Sequence, residues 1–363
     1  MNPLLSSPLI VYGSKISYFT GKLESFLRYK EIDYKFVPVS PLRFEKIKCN
    51  TGVKQVPAVV LNDGRWMTDT TPMLAWFDAN SDGLPVIPED ALQAFFSFLV
   101  EDYADEWLWR PAMHFRWSYP ETAELLSGKI ADEILNSIPL PRVAKAFYFR
   151  KRQQTIFVKG DGVSEQNRGH VEAIYYRNLS ILEAIFQKRT FLLGTRPTLA
   201  DYGYYGSMFR HFSQDPAPAK IMKECAPNVY QWTLRMWDVK QSSDSTLETG
   251  LPTDWSPILL DIGNSYLPYL NANAEAFMAG EKYFTVTINK AEYKKIRTSQ
   301  YRVGCLERLQ AHFNALSDDL QILAKERLVA DGCWVPLWAV KAESGIGSEQ
   351  QSPFHLGHTM TGT

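Results

Sequence analysis

A proline at the head of an apolar run constrains this chain more than any other feature. Lys54-Gln55-Val56-Pro57-Ala58-Val59-Val60-Leu61 is followed by Asn62-Asp63-Gly64 and then by Arg65-Trp66-Met67-Thr68-Asp69-Thr70. Pro57 cannot donate to a sheet ladder, so the strand it opens lies at an edge or follows a cis turn. A cis bond at Val56-Pro57 would turn the N–H and C=O of Val56 outward, open to an extended peptide. Asn62-Asp63-Gly64 is a strong hairpin signal, so a second strand returns beside the first. Asp69 and Thr70 then begin a helix, whose N-terminus suits a carboxylate guest. Together these residues read as a cradle for a small peptide.

The surrounding pattern gives the cradle a setting. Leu9-Ile10-Val11-Tyr12 reads as a short buried strand ended by Gly13-Ser14, and Leu23, Phe26, Leu27 and Lys30 mark a helix. Tyr34 to Val39 is a second strand and Leu42 to Cys49 a short helix. After the hairpin, Pro72, Leu74, Trp76 and Phe77 belong to a helix that starts near Thr70. The order is βαβα followed by ββα, and its first half requires parallel strands joined by a right-handed crossover.

Past a Gly/Pro-rich linker over 82–90, the texture becomes helical. Leu92, Phe95, Phe96, Leu99, Tyr103 and Trp107 recur at three- and four-residue steps, as do Val171, Ile174, Tyr175, Leu182, Ile185 and Phe186. Thr198-Leu199-Ala200-Asp201 has the spacing of a capping box, which opens a further helix. A polar stretch from Gln241 to Thr253 marks a boundary. Beyond it, Tyr283 to Ile288 alternates and a turn near Asn289-Lys290 leads to Tyr293 and Ile296, which predicts a hairpin. Cys305, Leu306, Leu309, Phe313, Leu316, Leu320 and Leu323 describe one long amphipathic helix. The expected units are 1–81, 90–240, an extension over 251–341, and a flexible Gly/Ser/Gln-rich tail over 342–363.

Composition excludes several classes. A net charge of −1 over 363 residues gives no field favouring nucleic acid or an anionic membrane. No apolar run approaches the length of a membrane span, and the N-terminal residues lack the pattern of a signal peptide. Cys49, Cys225, Cys305 and Cys333 are too scattered for a metal or redox motif, which fits a reducing cytoplasm.

With Gln55-Val56-Pro57, Met67-Thr68-Asp69-Thr70 and Phe191-Leu192-Leu193-Gly194 before Thr198-Leu199-Ala200-Asp201, the chain resembles the glutathione transferase family over about residues 9–240. The resemblance implies a thioredoxin-like βαβαββα domain followed by an all-α helical domain, here with an α/β C-terminal extension outside the family pattern. It implies glutathione as co-substrate, a small apolar electrophile as partner, a homodimer, and no metal. Gln55, Val56 and Pro57 would hold the cysteinyl part of glutathione by strand addition. Thr70 would bind the γ-glutamyl carboxylate and Asp69 its ammonium. Thr198 and Asp201 would serve folding.

The family activates the thiol with a hydroxyl or Cys after the first strand, since a hydrogen bond to the thiolate lowers the thiol pKa. Ser17, thirteen residues before Lys30, stands at the serine-type position. Tyr18 is adjacent, and Tyr12 ends the strand where tyrosine-type members carry theirs. Tyr103, Trp107, Arg110 and His114 fall on one helical stripe and are candidates to line the electrophile pocket. The alternative for that stripe is interhelix packing, with Arg110 paired to Glu106. Glu101, Asp102, Asp105 and Glu106 read as a solvated or Arg-paired face rather than a metal site. His355 and His358 sit in the tail, where metal binding is not expected.

Overall fold

In the computed structural model the chain is described over residues 2–346 and 352–354. The N-terminal unit runs β1 (Leu9–Gly13), α1 (Tyr18–Tyr29), β2 (Tyr34–Pro38), α2 (Pro41–Thr51), β3 (Ala58–Val60), β4 (Trp66–Thr68) and α3 (Thr70–Asn80). The sheet order is β2-β1-β3-β4. β1 and β2 are parallel, and β1–β3 and β3–β4 are antiparallel. The crossover through α1 puts Leu23, Phe26 and Leu27 into the main core, while α2 covers the other face with Ile47 against Tyr12, Val39 and Ala58. Between β3 and β4 the turn ends at Gly64, whose φ of +86° suits glycine.

The helical unit follows: α4 (Ala91–Glu106), α5 (Trp109–Ser118), α6 (Pro120–Glu133), α7 (Arg142–Gln153), α8 (Arg168–Phe186), α9 (Leu199–Ser207), α10 (Pro216–Cys225) and α11 (Pro227–Asp238). α9 packs on both α1 and α4, so it joins the two units. Its start is fixed by the capping box of Thr198 and Asp201. Asp201 accepts from the backbone N–H of Leu192 at 3.0 Å and of Thr198 at 2.9 Å, and from the indole of Trp232 at 3.2 Å.

The extension comprises α12 (Ser256–Asp261), α13 (Leu267–Met278), β5 (Tyr283–Ile288), β6 (Ala291–Arg297), α14 (Gln300–Asn314), α15 (Asp318–Ala330) and α16 (Trp334–Leu337). The expected hairpin is present, turning at Asn289 and Lys290 with φ of +49° and +69°. The single helix expected through Leu323 is instead two, α14 and α15. A new helix starts after Ser317, with Asp318 and Asp319 in its first turn favoured by the helix dipole, and Leu323 is exposed.

The extension is continuous with the rest of the core: Tyr266 and Tyr269 meet Tyr103 and Trp107 of α4. The expected loose tail lies partly outside the described residues. Of its described part, Ala342, Ser344 and Ile346 are buried. Farther on, the Pro353 carbonyl accepts from the Thr68 N–H at 3.0 Å, on the open edge of β4. Among the described residues no helix is long and apolar enough to cross a membrane.

Candidate functional site

The β3–β4 hairpin sets Ala58 opposite Thr68, which brings Val56-Pro57 beside Asp69-Thr70. The Val56-Pro57 peptide is cis, and Val56 lies just ahead of the β3 ladder. Asp69 caps α3, accepting from the Thr71 N–H at 3.3 Å, and holds φ +70° and ψ 113°. That region is sparsely populated for a non-glycine residue and carries a cost of about 1–3 kcal/mol, an expense found where backbone position serves a site.

Gln55, Val56, Pro57, Thr68, Asp69 and Thr70 line one cleft. Phe19 of α1, Asp105 of α4 and Tyr301 of α14 complete it. The Tyr301 hydroxyl donates to Asp69 Oδ1 at 3.4 Å. Phe19 stacks on Trp109 with ring centres 6.0 Å apart, and gives the cleft an aromatic wall.

Charge behind the cleft is organised by one buried ammonium. Lys22 Nζ donates to Glu101 Oε1 at 2.6 Å and to Asp105 Oδ2, and Thr71 Oγ1 donates to the same Glu101 oxygen at 2.7 Å. Burial opposes the Lys22 charge, but Asp105 and Glu101 beside it raise its pKa above the ordinary value. One ammonium thus faces two acidic side chains. Burial, with Glu101 beside it, pushes the Asp105 carboxyl well above the carboxylate range despite Lys22, and so favours its neutral form. Burial also raises the Asp69 carboxyl, with the Arg308 guanidinium pulling it down and Glu101 adding to the rise. The Tyr301 phenol is driven well up by burial and by Asp69, so it stays protonated.

The three candidate activating hydroxyls are not brought together. Ser17 caps α1 and accepts from the Thr20 N–H at 3.4 Å; it is half-buried and is not among the cleft-lining residues, to which the first turn of α1 contributes Phe19. Tyr18 turns into the core, where its hydroxyl donates to the Ala104 carbonyl at 2.8 Å. Tyr12 lies on the α2 side of the sheet, stacked on Trp66 at 5.3 Å. The loop before Ser17 is pinned from the helical unit. Arg210 donates to the Ser14 carbonyl at 2.9 Å and Arg116 to the Ile16 carbonyl at 2.8 Å.

The α4–α5 stripe lines none of this cleft. Tyr103 donates to Asp261 Oδ2 at 2.5 Å, and Trp107 packs on Tyr269 with ring centres 5.6 Å apart. The Arg110 guanidinium lies 4.0 Å from the Tyr269 ring centre and 3.5 Å from Asp161 Oδ1. His114 Nε2 sits 2.9 Å from Glu172 Oε1. These residues, expected at an electrophile pocket, pack inside the fold: Tyr269 of α13 and Tyr293 of β6 cover Trp107 and Arg110, Asp261 and Tyr266 meet Tyr103, and α8 holds His114. Arg110 does not pair with Glu106; Arg302 of the extension does, at 3.0 Å. Nor is the acidic run solvated: Glu101, Asp102, Asp105 and Glu106 are all buried. Among the described residues no three His, Cys, Asp or Glu side chains converge as a metal site, and His355 and His358 lie outside those residues.

Phe19, Asp105 and Tyr301 were not legible as site residues. Phe19 had a signal, being two positions past Ser17. Tyr301 had none, since it is 232 positions from Asp69 in sequence.

Comparison with protein families matches residues 11–85 to the glutathione S-transferase N-terminal domain and residues 143–238 to the glutathione S-transferase C-terminal domain. Among solved structures, a beta-etherase from Sphingobium sp. is 19% identical with a TM-score of 0.45, covering 63% of this chain and 95% of its own. A GST-like protein from Pseudomonas syringae is 16% identical with a TM-score of 0.42, covering 68% of this chain and 78% of its own. A glutathione S-transferase from Methylobacillus flagellatus with glutathione bound is 16% identical with a TM-score of 0.40, covering 64% and 95%. Comparison with curated protein sequences finds no match.

Proposed function

Because this chain belongs to the glutathione transferase family, we propose that it binds glutathione in the cleft beside Val56 and Asp69 and presents the thiol to a small apolar electrophile. One observation carries the reading: all five residues expected to hold glutathione line a single cleft. In this reading Val56 main-chain groups pair with the cysteinyl part, the Thr70 N–H and hydroxyl take the glutamyl carboxylate, and Asp69 meets the ammonium. The electrophile rests against Phe19, backed by Trp109, rather than on the α4 stripe.

Ser17 is the residue assigned to the thiol. As an N-cap its oxygen accepts from Thr20, which leaves its own proton to donate, and the α1 N-terminus adds a favourable dipole for a thiolate. Attack by the thiolate on carbon forms the C–S bond as the leaving group departs with the electron pair. Isothermal titration should show saturable glutathione binding, and Ser17→Ala should lower kcat far more than it raises the glutathione Kd. Absence of binding at millimolar glutathione would sink the reading; unchanged turnover would remove Ser17 from it. Homodimerisation and a cytoplasmic location belong to the same proposal, and sedimentation of the purified chain tests the first.

A second reading is favoured by the covered α4 stripe and by Tyr12 and Tyr18 facing away: a glutathione-binding scaffold without transferase chemistry. This fold family need not imply catalysis. Retained glutathione binding with no conjugation across a panel of electrophiles would select it.

A further inference from the structure

We propose that Tyr301, supplied by the C-terminal extension, selects for the γ-glutamyl end of the peptide, so that the extension is a working wall of the binding site. The inference rests on the glutathione reading above and names which part of the ligand the extension reads. Tyr301 lines the cleft with the hairpin residues, and its hydroxyl lies 3.4 Å from Asp69 Oδ1. A phenol oxygen accepts as well as donates. An ammonium that meets Asp69 therefore finds two oxygens, one from each end of the chain, while Thr70 takes the carboxylate on the same carbon. Such a site reads a terminal α-amino-acid head, which a γ-glutamyl peptide has. An α-linked glutamyl peptide lacks it, because its α-carboxylate is spent in the peptide bond.

The ring is held in place by buried contacts. The Arg308 guanidinium lies 5.4 Å from its ring centre. Next along α14, Arg302 donates to Glu106 at 3.0 Å, to Asp161 at 3.1 Å and to the Tyr269 hydroxyl at 2.5 Å. Before α14, Asn273 exchanges two 2.9 Å hydrogen bonds with the Ser299 backbone. These bonds fix α14 to α4 and α13, so Tyr301 is presented by a rigid element. The chain reaches the same hairpin again where Pro353 accepts from the Thr68 N–H, with Phe354 4.3 Å from the Arg65 guanidinium.

The test is calorimetric titration of the full chain and of Tyr301→Phe with four peptides: glutathione, γ-glutamylcysteine, cysteinylglycine and α-linked Glu-Cys-Gly. Tyr301→Phe keeps the ring and removes only the hydroxyl. We expect about a tenfold loss of affinity for the two γ-glutamyl peptides, from one hydrogen bond to a charged group, and no change for cysteinylglycine. The unmodified chain should also prefer glutathione over the α-linked isomer, and Tyr301→Phe should narrow that preference. If the unmodified chain binds no glutathione, the functional reading itself fails. If it binds glutathione and Tyr301→Phe alters nothing, or weakens all four peptides alike, the glutamyl role of Tyr301 is overturned while the functional reading stands.

Discussion

Asp69 holds an unusual backbone conformation, caps α3, and keeps a carboxyl above its ordinary range through burial. An ammonium guest favours its charged form, so protonation and ligand compete. Glutathione affinity should therefore fall as pH drops through the raised Asp69 pKa and level off above it. The groups facing Asp69 are Arg308, which favours the anion, Glu101, which opposes it, Lys22, and the Tyr301 hydroxyl. Asp69→Asn should weaken glutathione binding roughly 10- to 100-fold, from the 1.5–3 kcal/mol of a charged hydrogen bond, and should flatten the pH profile measured by calorimetry. Single residues were legible in the sequence where the chemistry is local. Val56-Pro57 and Asp69-Thr70 lie within one hairpin, and their spacing suffices to place them. Tyr18 was not, because the direction of a side chain at a helix start depends on what packs there. Its hydroxyl is taken by the Ala104 carbonyl of α4, a contact no spacing announces.

At the scale of elements, α9 shows how one side chain sets a helix start. Asp201 is fully buried, and its hydrogen bonds reach Leu192, Thr198 and Trp232. Removing it with Asp201→Ala leaves those donors unpaired and should lower stability by about 2–4 kcal/mol in urea unfolding. Burial raises the Asp201 pKa to about 6, against those hydrogen bonds. Its unfolded value is near the ordinary ~3.9. The native chain thus binds this proton more tightly than the unfolded one, and stability from Asp201 protonation is lost as pH rises through about 6. Relative to Asp201→Asn, the native chain should therefore lose stability between about pH 4 and pH 7. The hydrophobic period identified α4, α8 and α14, but it could not say which stripe faces a cavity. The expected single stripe is broken: α4 ends at Glu106, and Arg110 and His114 belong to α5. Trp107 and Arg110 pack on Tyr269 of α13 and Tyr293 of β6, while His114 meets Glu172 of α8. Periodicity marks burial and is silent on what does the burying.

For the whole molecule, the extension is the part the sequence left without a role. Its hairpin and the stretch forming α14 were legible, but not α12, α13 or α16, the break before α15, or the attachment to α4. That attachment runs through buried ionic contacts: Arg302 with Glu106 and Asp161, and Arg308 with Asp102 at 3.8 Å. Arg302→Ala strands two buried carboxylates and should cost about 3–5 kcal/mol by chemical denaturation. Deleting residues 251–363 should yield an insoluble or partly unfolded chain, because Tyr103, Trp107 and their neighbours lose their cover. A soluble core with cooperative unfolding would show the extension to be dispensable for the fold. The claim on which the rest depends is that the hairpin cleft takes glutathione. Titration calorimetry of glutathione into the full chain, beside Asp69→Asn, measures it directly. Saturable binding at or below millimolar glutathione, weakened at least tenfold in the variant, is the expected result. No binding to the unmodified chain at millimolar glutathione, or equal binding to both, would contradict it.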